Sequence, residues 1–120
     1  MTRARWTLAL FWLIAGAIHF IRPQFYDAIV PPPLDDHARA ITYASGVAEL
    51  LGGVLVLLPS LSRFTRIYLL LLLLAVFPAN VWMAIEPEKF RSLPHWALIA
   101  RLPIQFLFAW HAVVGTRHDN

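Results

Sequence analysis

Residues 38–58 read ARAITYASGVAELLGGVLVLL, and the run stops at Pro59-Ser60. Arg39 and Glu49 are its only charged residues. About 20 mostly apolar residues is the length of a helix that crosses hydrocarbon. In lipid every backbone N–H and C=O needs an internal partner, which forces the helix. At about 100° per residue, Thr42, Ser45, Gly46, Glu49, Gly52 and Gly53 share one third of its surface. The rest is Leu- and Val-rich. Small residues let membrane helices approach closely and polar ones bind across them. A carboxylate at mid-span costs about 3 kcal/mol or more and faces protein or a cavity. The stretch predicts one helix of a membrane bundle, polar side inward.

Three similar segments surround it, at 6–21, 66–85 and 96–115. Arg22-Pro23 and Glu86-Pro87 end the first and third helices, and Pro94 precedes the last. Asp35 or Asp36 is the expected N-cap of the second. The predicted fold is a single domain over residues 1–120, all-α, an integral membrane four-helix bundle with a short interfacial segment between helices 1 and 2. Composition agrees. Of 120 residues, 59% are hydrophobic and 14% charged, against about 45–50% and 25% in soluble domains. Such a chain can neither cover a soluble surface nor stay disordered. With no cysteine, disulfides, thiolate nucleophiles and iron–sulfur clusters are excluded.

The net charge of +3 comes mostly from Arg near the segment ends, a pattern of membrane anchoring. No clustered basic face exists for nucleic acid. With the N-terminus inside, Arg3, Arg5, Arg63, Arg66 and Arg117 face Arg22, Arg39, Lys89 and Arg91 across the membrane. That bias favours cytoplasmic termini. Trp6, Trp82 and Trp96 fit an interfacial belt. A competing reading takes Arg3 to Ala17 as a cleaved signal peptide ending in Ala15-Gly16-Ala17. The functional-looking His19, Phe20 and Pro23 follow at once, and three remaining helices make a poorer bundle.

The other helices have matching faces: Leu8, Trp12, Ala15, Gly16 and His19; Phe77, Asn80 and Ala84; and Ala97, Arg101, Gln105, Phe108 and Ala112. Asn80 and Arg101 each lie about four residues from their segment centres, roughly 6 Å, and His19 slightly further. Antiparallel neighbours put these displacements on one side. A polar cluster of His19, Glu49, Asn80, Arg101 and Gln105 is therefore expected to run from mid-membrane towards one face. Glu49 and Arg101 are the expected ion pair. Pro78 is expected to kink its helix and free a carbonyl near Asn80. His111 lies in the opposite half from His19, so the two cannot share one haem iron, and no metal site is expected.

The connection 22–37 carries Phe25, Tyr26, Ile29 and Val30, too apolar for a free loop. It predicts a short interfacial helix, then an extended Pro31-Pro32-Pro33 return. Tyr26 would lie over the polar cluster as part of a lid.

Several motifs resemble the small DoxX-like membrane proteins of the DoxX/DoxD group. They are Ala15-Gly16-x-x-His19-Phe20-x-x-Pro23-x-x-Tyr26, Ile29-Val30-Pro31-Pro32, Ser45-Gly46-x-x-Glu49-Leu50-x-Gly52-Gly53, Ala75-Val76-Phe77-Pro78-Ala79-Asn80 and Arg101-Leu102-Pro103-x-Gln105. The resemblance covers nearly the whole chain. It implies a four-helix bundle in a bacterial cytoplasmic membrane and a link to thiosulfate–quinone oxidoreduction or membrane redox-defence complexes. The thiol-exchanging branch does not transfer, because its cysteines are absent. No catalytic residue follows.

The expected function is binding of a quinone-like or other amphipathic ligand by His19, Tyr26, Glu49, Asn80, Arg101 and Gln105, as a component of a redox complex. The expected partners are the bilayer, the ligand, and a membrane protein or a second copy of the chain. Quinone is the cofactor candidate. Two other classes stay open: a non-catalytic structural or assembly partner, and a small proton-coupled transporter with Glu49 as carrier. An Arg101 counter-ion would oppose the transporter by holding Glu49 ionised.

Overall fold

The structure, a computed structural model, describes residues 2–85 and 95–117. The expected breaks at Glu86-Pro87 and Pro94 lie outside those residues, as do Lys89 and Arg91. Among the described residues the chain is all-helical. The helices are α1 (Arg3–Ile21), α2 (Pro23–Ala28), α3 (Ala38–Val56), α4 (Ser62–Ile85) and α5 (His95–Gly115). Three helical stretches, Arg3–Ile21, Leu34–Val56 and Pro59–Trp82, are long and apolar enough to cross a membrane, and Ile99–Gly115 is a shorter apolar helix.

The helix ends have local causes. Thr2 caps α1 by accepting the Arg5 N–H at 3.1 Å. The helix therefore starts before the apolar run does, because hydropathy sets depth and not helix length. α3 stops at Val56, two residues short of expectation. Pro59 pushes Leu58 out of the α region, to φ −112° and ψ 86°. A 3-10 turn at Pro59–Leu61 leads straight into α4, which begins four residues before the expected Arg66. Neither Asp35 nor Asp36 caps α3. Both lie in a 3-10 turn, Leu34–His37, that runs into the helix, and the Ala38 N–H bonds back to the Asp35 carbonyl. The proline return is not extended. Pro33 sits at φ −87° and ψ 10°, and the Leu34 N–H closes a turn on the Pro31 carbonyl at 3.0 Å.

The four long helices alternate in direction around a ring in which α1 touches α3 and α5, and α4 touches the same two. The α1–α3 contact is the tightest. A Cβ on Gly16 would lie 2.8 Å from the Leu50 backbone nitrogen and 2.9 Å from the Gly46 carbonyl oxygen. Gly16 is thus a packing point of the bundle. Gly46 and Gly53 serve the same contact against His19 and Leu13. At the end of the bundle holding both termini, Leu8, Ala9, Trp12, Val56, Leu69, Leu73 and Ala112 make a closed apolar core. Outward positions such as Leu71, Leu74, Phe106 and Leu107 are exposed.

Below that core lies Arg5, which the sequence assigns to surface anchoring. It is fully buried. Its guanidinium donates to the Val56 carbonyl at 2.8 Å, the Ser62 hydroxyl at 2.7 Å and the Arg117 carbonyl at 3.2 Å. Val56 closes α3 and Arg117 follows α5, so one cation faces the negative ends of two helix dipoles. Arg66 adds bonds to the Thr116 hydroxyl and carbonyl, both at 3.0 Å. Trp82 packs against Ile29, beside Phe25 and Tyr26.

A polar cavity under the α2 segment

The other half of the bundle is hollow. A cavity of about 520 Å³ lies between the four long helices and the α2 segment, and His19, Tyr26, Glu49, Asn80, Arg101 and Gln105 all line it. Phe11, Trp12, Leu73 and Phe108 border it on the core side, and Ile29, Val30, Pro31 and Leu34 on the α2 side. The volume falls within the roughly 300–1,000 Å³ of small-molecule sites.

His19 is in the last turn of α1, opposite Gly46. Only hydrogen at Gly46 leaves room for it, since a Cβ there would sit 2.9 Å from the His19 Cβ. One turn further along α3 is Glu49. His19 Nδ1 is 2.8 Å from the Ala15 carbonyl oxygen, which only accepts, so Nδ1 carries hydrogen. Nε2 is 2.9 Å from Glu49 Oε2, and no hydrogen-bond donor of the described residues is aligned on that oxygen. Glu49 therefore meets His19, not Arg101, which corrects the expected ion pair. The close approach of α1 and α3 brings the imidazole to the carboxylate first.

This contact sets the one carboxylate of the described cavity lining against α1. Tyr26 stacks on the imidazole, with centroids 3.7 Å apart and planes at 18°. Burial pushes the Tyr26 phenol up from its ordinary value, the Glu49 charge adds to this, and Arg101 opposes it. Tyr26 is thus a neutral hydroxyl at physiological pH.

Across the cavity the polar groups form a chain. Arg101 Nε donates to Asn80 Oδ1 at 3.2 Å. Asn80 Nδ2 donates to Gln105 Oε1 at 2.8 Å. Gln105 Nε2 donates to the Leu73 carbonyl. Both amide orientations are forced, because the first member only donates and the last only accepts. Pro78 lies within α4 and leaves the Leu74 carbonyl without its helical donor. The carbonyl taken by Gln105 is its neighbour, Leu73. Arg101 has no hydrogen bond from its terminal nitrogens to any described residue. The Trp12 indole N–H is also buried and unpaired.

Asp27 and Thr42 have roles the sequence reading missed. Asp27 accepts from Thr42 Oγ1 at 2.7 Å and from Arg39 Nε at 2.7 Å, fastening α2 to α3. No periodicity links residues 15 apart across a turn. Burial pulls the Asp27 carboxyl up, but the bonds from Thr42 and Arg39 and the Arg39 charge outweigh it, and its pKa is lowered. A lowered folded pKa contributes stability above the unfolded value of 3.8 that is lost as pH falls through the folded value. Asp27→Ala is expected to lower stability by about 1 kcal/mol at neutral pH. The difference in melting temperature from wild type should hold down to about pH 4 and shrink below it. A difference independent of pH down to the acid transition would mean that the carboxylate charge is not the cause.

Fold and cavity define a small helical bundle with helices of membrane-crossing length, closed by apolar packing at one end and holding a polar-lined cavity at the other. The family described as "Domain of unknown function (DUF8561)" matches residues 8–115, and the chain belongs to it. No curated protein and no solved structure matches the chain.

Proposed function

We propose that this is a multi-pass protein of a bacterial cytoplasmic membrane, with both termini cytoplasmic, that binds an amphipathic small molecule of the quinone or lipid-like class. The observation that carries this reading is the cavity itself. Convergent polar groups line an otherwise apolar space, the usual form of a small-molecule site. Their arrangement suits a polar head beside Arg101, Asn80 and Tyr26 and an apolar tail along Ile29, Val30 and Phe108. The exposed Leu and Phe side chains support placement in lipid. The motif resemblance to DoxX-like proteins supports a quinone and a place in a membrane redox complex.

The test is a melting experiment on the whole protein in detergent with decylubiquinone. A ligand that binds only the folded state stabilises it by RT ln(1 + [L]/Kd), about 2.7 kcal/mol at a hundred times Kd. Tyr26→Ala removes the ring over His19 and leaves the α1–α3 contact alone. It should abolish the shift without unfolding the free protein. If neither a quinone nor any single-tailed amphiphile moves the wild-type transition, a structural or assembly role stands instead. In that role the chain from Arg101 to Leu73 simply ties α4 to α5.

A further inference from the structure

Among the described residues lining the cavity, no carboxylate meets Arg101. Glu49, the one carboxylate of that lining, lies 2.9 Å from His19 instead. Tyr26, facing them from α2, keeps its proton. Asn80 and Gln105, from α4 and α5, are neutral. Thr42 and Ser45 on the α3 wall are neutral as well. Arg101 remains. Its Nε is taken by Asn80, while its terminal nitrogens donate to no described residue. Arg5, the other interior arginine, faces two helix C-termini at the far end of the bundle. Arg101 sits within α5 and has one neutral amide. A guanidinium in a largely apolar space with no carboxylate of the described residues against it is costly, and a bound anion removes that cost.

We infer that the occupant of this cavity is a single-tailed amphipathic anion, whose oxyanion head is held by the free edge of the Arg101 guanidinium. The inference rests on the cavity being a ligand site, as proposed above, and specifies the charge of the ligand. Planar oxyanions match the donor fork of arginine. Asn80 orients that fork by accepting Nε–H. The space also sets tail number. About 520 Å³ lies within the roughly 300–1,000 Å³ of small-molecule sites, a size that suits a small head with one tail.

The experiment compares dodecanoate with dodecanol and decylubiquinone, using the full chain in phosphatidylcholine nanodiscs at pH 8.5, read by melting temperature and by calorimetry. Dodecanoate is expected to bind at least tenfold more tightly than either neutral probe. Arg101→Gln should erase that preference, whereas Arg101→Lys should retain it. The unliganded Arg101→Gln protein should melt no lower than wild type, because the charge it loses has no carboxylate partner among the described residues. Equal binding of dodecanoate and the neutral probes overturns the inference but leaves the ligand site standing. Binding of none of the three overturns both. A preference surviving in Arg101→Gln, or a marked drop in melting temperature of that unliganded variant, also overturns it, since Arg101 then already has its partner. Adding phosphatidylglycerol to the nanodisc separates a free amphiphile from a lipid headgroup. No competition is expected, and displacement of dodecanoate would overturn the single-tailed assignment.

Discussion

Gly16→Val is expected to leave no stable bundle at ambient temperature. Hydrogen at this position faces the backbone of α3, where even a Cβ would lie 2.8 Å from the Leu50 nitrogen and 2.9 Å from the Gly46 oxygen. Both neighbours are main chain, so no rotamer change makes room. The helices must separate, and the contact that seats His19 against Glu49 separates with them. Overpacking usually costs about 1–3 kcal/mol and sometimes more. Two branched methyls against backbone place this case at about 3 kcal/mol or above. Gly16→Ala should lie between, with a lowered melting temperature and the bundle retained. Gly52 is the control, because its nearest neighbours are the Leu69 and Tyr68 side chains, which can move. Gly52→Ala should be milder than Gly16→Ala, and equal losses would show that backbone approach is not what Gly16 provides.

The second large effect is expected at Arg5. Replacement by Met keeps much of the volume and removes the donors. The Val56 and Arg117 carbonyls and the Ser62 hydroxyl then lose a charged partner. Hydrogen bonds to charged groups contribute about 1.5–3 kcal/mol each, and Val56 and Ser62 are buried from water. A loss of about 3 kcal/mol is expected, with the ends of α3 and α5 opening first. Hydrogen exchange should show amides near Val56 and Gly115 losing protection before those near Glu49. Uniform loss along the helices would contradict the role of Arg5 as a cap on two helix ends. Arg5→Lys should recover only part of the stability, because one ammonium cannot reach three acceptors arranged around a planar fork.

The helices and their inward faces were legible from residue order. Helical period puts Thr42, Gly46, Glu49, Gly52 and Gly53 on one side of α3, and all five are buried. Because α1, α3, α4 and α5 alternate in direction, depth along each segment brings His19, Glu49, Asn80, Arg101 and Gln105 to the same half. Both rules are local. They use only rise and rotation per residue, which every helix obeys.

Partnership is not local, and only the tertiary structure decided it. Depth and face allow Glu49 to meet either Arg101 or His19, since an arginine side chain spans several ångströms. The close approach at Gly16 and Gly46 gives Glu49 to His19 and leaves Arg101 to Asn80. Arg5 lies three residues before Leu8 and seven before Trp12, on the face those residues bury, so the helical period carried its signal. Its terminal position concealed it, because an arginine at the end of an apolar run is ordinarily a surface anchor. What holds it inside is the meeting of two helix C-termini from distant parts of the chain, and the Asp27 bonds to Thr42 and Arg39 likewise exist only once α2 folds back over α3. Sequence order sets which side chains face inward through the geometry of each helix. Which of them touch depends on how closely the helix backbones approach, and that distance is set by small residues on two helices at once.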